Sequence, residues 1–74
     1  MDRNTILDQL AQARRYVAEA ERHIARQREI VALKGRDGHN PFRSVKLLAQ
    51  LEELYRLHVQ ERDRLEKELD VSST

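Results

Sequence analysis

Seventy-four residues without a cysteine allow one small domain and exclude disulfide staples, thiolate zinc sites and iron–sulfur clusters. Hydrophobic residues make up 39%, charged residues 36% and aromatics 4%, with two glycines and one proline, a mixture that suits helices and coiled coils and leaves too few residues for a sheet. The net charge of +1 gives no overall bias toward a polyanion, no apolar run approaches the ~20 residues of a transmembrane helix, and the start MDRNTILDQLAQARR lacks the apolar core of a signal peptide. The expectation is a soluble, cytoplasmic protein. A core this small is marginal alone, so reinforcement from a second chain is expected.

The first segment carries Ile6, Leu10, Ala13, Val17, Ala20, Ile24, Gln27 and Val31 at alternating spacings of four and three, the period of a coiled-coil seam. Thr5 is placed to cap the helix, with Asp8 supplying negative charge near its positive end. Lys34 suits the last free carbonyls, and Gly35 can take the left-handed conformation that closes many helices. Helix 1 is therefore predicted over about 6–34, followed by a turn over 35–40 in which Asp37-Gly38 is the turn signal.

Asn40-Pro41 marks a restart, because the Asn side chain can accept from free backbone N–H groups while proline fits the first helical position. Helix 2 is predicted over about 41–70, with 71–74 fraying. Leu47, Leu51, Leu54, His58 and Leu65 form one stripe, and Leu48, Tyr55 and Leu69 lie beside it. A face this wide touches more than one neighbour. The short connection folds the helices back on each other, so the fold class is all-α, a single-domain antiparallel αα-hairpin. Two hairpins packed face to face, a homodimeric four-helix bundle, would bury both stripes. The expected oligomer interface comprises Ile6, Leu10, Val17, Ile24, Val31, Leu47, Leu48, Leu51, Leu54, Tyr55, His58, Leu65 and Leu69.

Charge is laid out unevenly. From Arg14 to Lys46 nine bases stand against four acids, whereas from Leu47 onward four bases stand against seven acids. An antiparallel dimer would set each basic loop end beside the partner's acidic end. Helix 2 also carries its charges against its own dipole, with Arg43 and Lys46 early and Glu66, Glu68 and Asp70 late. Either those crossed charges serve the dimer contact, or Lys34, Arg36, Arg43 and Lys46 surround an anion or nucleic-acid site at the start of helix 2.

No catalytic constellation emerges. Glu19 and His23 share a helix face, but no Glu-x-x-His or His-x-x-x-His pair supplies further metal ligands. His58 lies within the apolar stripe, where Leu57 and Val59 flank it instead of the acid that phosphotransfer needs. His39 is read as shaping the turn. Gly35 and Gly38 cannot form a phosphate loop. The reading is of a non-enzyme without metal or cofactor, whose association a histidine in the seam would make pH-dependent.

The pieces HIARQREIVALKGRDGHN and KLLAQLEELYRLHVQERDRLEKEL resemble a group of short bacterial proteins, mainly alphaproteobacterial. The likeness runs over roughly 18–69, through Arg26 to Val31, Gly38-His39, Leu47-Leu48 and His58 to Leu65. It implies a helical hairpin and assigns neither an activity nor functional residues. In architecture alone the hairpin is similar to Rop-like RNA-binding four-helix bundles. Two functions follow: a structural or regulatory protein-interaction module acting as a homo-oligomer, or an RNA-binding bundle using the basic loop half. The mixed charge of both helices speaks against a membrane surface.

Overall fold

The computed structural model describes residues 2–72, which form two helices, α1 (Arg3–Arg36) and α2 (Phe42–Ser72), packed along their length. The rod measures 57 × 14 × 14 Å, close to the ~51 Å that 34 helical residues span at 1.5 Å each.

The start of α1 differs from expectation. Asp2, not Thr5, is the N-cap, and its Oδ1 accepts the Thr5 N–H at 2.8 Å. An ionised carboxylate at this position meets both a free donor and the positive end of the dipole. That hydrogen bond, ahead of smaller contributions, holds the Asp2 carboxyl below the usual carboxylate range. Because the helix begins at Arg3, Asp8 lies past the first turn.

The end of α1 differs as well. Gly35 stays helical, and Gly38 is the glycine with positive φ, at 76°. The His39 N–H reaches back to the Lys34 carbonyl at 3.0 Å and the Gly38 N–H to the Gly35 carbonyl at 3.4 Å. These two bonds around a left-handed glycine satisfy carbonyls that the last turn would otherwise leave free. The helix therefore runs two residues beyond the expected Lys34. At the restart Asn40 accepts as expected, its Oδ1 taking the Phe42 N–H at 3.0 Å, but α2 begins at Phe42, and Pro41, whose carbonyl accepts the Val45 N–H at 2.9 Å, stands at the cap rather than at the first helical position. At the other end, α2 continues through Val71 to Ser72, past the predicted limit near 70. Ser73 and Thr74 of the expected frayed tail lie outside the described residues.

On α1 the seam holds as expected: Ile6, Leu10, Ala13, Val17, Ile24 and Gln27 are buried, with Ala20 and Val31 half-buried. On α2 the phase differs. The residues turned toward α1 are Ser44, Leu48, Leu51, Tyr55, His58, Arg62, Leu65 and Leu69, again at alternating four and three, buried or half-buried throughout. Leu47 and Leu54 fall off this line. The tightest packing joins Leu10 and Leu65, each 1% exposed, across the small Ala13, with Leu69 against them. Burying each leucine contributes about 1.5–3 kcal/mol. Near the loop the seam turns polar, where Gln27 Nε2 donates to the Ser44 carbonyl at 2.9 Å.

Candidate interaction surface

Heptad phase gives the two flanks of the seam different characters. On one flank Arg14, Glu21 and Arg28 of α1, seven residues apart, run beside Glu52, Val59 and Glu66 of α2, also seven apart. Two cross-helix ion pairs tie this flank, Arg14 with Glu66 at 3.3 Å and Arg28 with Glu52 at 3.5 Å. Both are exposed, so each contributes at most about 1 kcal/mol. Their effect is to present charge to water on this side.

The opposite flank is apolar at its centre. Tyr16, Glu19, Ala20 and His23 of α1 line a shallow groove with Leu51, Leu54 and His58 of α2. The Tyr16 ring meets the His58 imidazole with centroids 5.3 Å apart and planes tilted by 39°, and its hydroxyl accepts from Gln12 Nε2 at 2.7 Å. Leu47 is 45% exposed, Leu54 48% and Leu57 54%, and Leu33 lies toward the loop end of the same flank at 51%. Together these side chains form a line of half-exposed leucines interrupted by polar groups, more apolar surface than a small hairpin leaves open without a use. Leu7, Phe42 and Val45 are exposed too, away from this strip.

The residues expected to contact another chain thus divide into three sets. Ile6, Leu10, Val17, Ile24 and Leu65 are buried within the hairpin itself. Val31, Leu48, Leu51, Tyr55, His58 and Leu69 are half-buried at its edges, and Leu47 and Leu54 stand open. The stripe expected on α2 through Leu47, Leu51, Leu54, His58 and Leu65 therefore merges parts of two. The second runs through Arg43, Leu47, Gln50, Leu54, Leu57, Glu61, Arg64 and Glu68, at spacings of four and three from end to end. That spacing stands in the sequence, but Arg43, Gln50, Glu61, Arg64 and Glu68 interrupt its apolar period.

The ends of the open flank differ in charge. At the distal end, Arg64 bonds Glu61 and Glu68, each at 2.6 Å, and the hydrogen bond from Arg64 holds the Glu61 carboxyl below its ordinary range. At the loop end Lys34, Arg36, Arg43 and Lys46 are all exposed, and none pairs with a carboxylate among the described residues. α2 has neither an acid in its first turn nor a base in its last, so the inverted dipole placement is real. His39 sits exposed in the turn. Among the described residues no three His, Asp or Glu side chains converge as metal ligands, and no helix is long and apolar enough to cross a membrane.

Compared with protein-family models, curated proteins and solved structures, the chain matches none. The functional reading therefore comes from this surface.

Proposed function

We propose that the chain is a non-enzymatic protein-interaction module that works as a homo-oligomeric helical bundle, most simply a dimer of hairpins. The observation that carries this reading is the open flank, where Leu47, Leu54 and Leu57 stand about half exposed on a hairpin whose other flank is laced by ion pairs. A 74-residue chain with so narrow a core gains most by covering such a strip. The groove on that flank holds His23, His58 and Glu19 but no serine, threonine or cysteine to serve as a nucleophile.

A second reading has one observation of its own. The four bases at the loop end lack carboxylate partners among the described residues, which suits contact with RNA phosphates. Salt separates the two readings. Phosphate-driven binding falls steeply between 50 and 200 mM salt, because each neutralised phosphate releases counterions, whereas burial of leucines responds little. The test is fluorescence anisotropy with a labelled RNA hairpin, beside light scattering of the protein alone at both salts. The interaction-module reading expects self-association at both salts, lost in Leu54→Glu, with RNA binding absent or nonspecific. A monomer that holds RNA tightly and with a steep salt slope would replace it.

A further inference from the structure

Resting on the reading that the open flank is an interface, we infer that its occupant is a second copy laid antiparallel, α2 against α2 and α1 against α1, with loops at opposite ends. A twofold axis between two stacked hairpins has two simple choices. Running along the helices, it stacks α1 on the partner's α2 and brings both sets of Lys34, Arg36, Arg43 and Lys46 to one end. Running across them, it stacks like helices and sets each loop end against the partner's distal end.

The charges decide between these. Within 20–56, the loop half of the rod, eight bases stand against five acids, and the rest of the chain has six bases against eight acids. The along-axis choice concentrates like charge at each end of the bundle; the across-axis choice neutralises it.

The register follows from the residues on the open flank. On α2, Leu54 and Leu57 lie three apart at the centre, while Arg43 and Glu68 lie eleven residues outside them on either side. One antiparallel alignment therefore sets Leu54 on the partner's Leu57 and Arg43 on the partner's Glu68. On α1 the same kind of symmetry holds about Glu19 and His23, with Tyr16 three residues before and Arg26 three after. There Glu19 meets the partner's His23, and Tyr16 meets the partner's Arg26, a guanidinium over an aromatic face. The two centres agree in height, because Glu19 and His23 share their groove with Leu54. Both helices thus point to the same axis: on α2 leucines meet at the middle and Arg43 meets Glu68 at the outside, with Leu47 against the stem of the partner's Arg64 between them, and on α1 Glu19 meets His23 at the middle. This also gives a use to the reversed charges of α2, which oppose its own dipole.

Because the chain has no cysteine, introduced thiols report the geometry cleanly. Arg43→Cys and Glu68→Cys chains, both at sites outside the buried seam, are prepared separately, checked for unchanged helicity by circular dichroism, mixed, and oxidised mildly at low concentration. The expected result is a disulfide-linked dimer joining one chain of each kind in the mixture, and none in either variant alone. A mixture that sediments as a dimer yet forms no such link, or a link in Arg43→Cys alone, would overturn the antiparallel arrangement while leaving the interface reading in place. Sedimentation as a monomer would overturn both.

Discussion

Gln27 and Ser44 are joined across the hairpin by a side-chain amide that donates to a main-chain carbonyl at 2.9 Å, in a position sealed from water. An apolar residue at 27 would fit the seam period equally well, but it would not distinguish one axial register from its neighbour. The amide does, because sliding α2 by a residue leaves a buried polar group without its partner. Gln27→Ala is expected to lower stability by about 0.5–1.5 kcal/mol, measured by urea unfolding. Neutrality within a few tenths of a kcal/mol would contradict this role.

The two glycines predict opposite signs. Gly38 holds φ at 76° and closes α1, so Gly38→Ala forces a side chain into the left-handed region at a cost of about 1 kcal/mol. Gly35 is helical, with nothing within 4 Å of an added Cβ, and Gly35→Ala is expected to stabilise by about 0.5–1 kcal/mol. Thermal unfolding of the two variants checks the pair; equal shifts of the same sign would refute the assignment of the turn.

How much of this was legible in the sequence depended on the residue. The α1 seam from Ile6 to Val31 and the Asn40 restart follow from period and capping chemistry, which are local. The choice between Gly35 and Gly38 is local too but not fixed by residue type, since either can adopt positive φ, and the bond from His39 back to Lys34 decides it. Asp2 and Thr5 both suit a cap by residue type, and the bond from the Thr5 N–H to the Asp2 carboxylate shows which of them starts the helix. On α2, Leu47 and Leu54 share an apolar character with Leu48 and Leu51, and only packing against α1 shows which pair turns inward. The open flank was hidden because a strip alternating leucine with Arg43, Gln50, Glu61 and Glu68 reads as solvated surface until its spacing is traced.

The Asp2 cap has a pH signature. Its folded-state pKa is depressed by the Thr5 N–H, so its contribution is present above the value in the unfolded chain and is lost as pH falls through the lower folded value. The Thr5 amide resonance should therefore titrate with a midpoint below the ~3.9 of a free aspartate, and lose that step in Asp2→Ala. A midpoint at or above that value would remove the cap from the account.

The central claim is that a second copy covers the flank around Leu54, and sedimentation equilibrium over a wide concentration range tests it most directly. The account predicts a limiting mass of twice the 8.8 kDa chain, falling to a single chain when Leu54→Glu and Leu57→Glu are combined. A well-folded parent chain that stays at 8.8 kDa at every concentration would contradict it, and would leave the strip to a different protein.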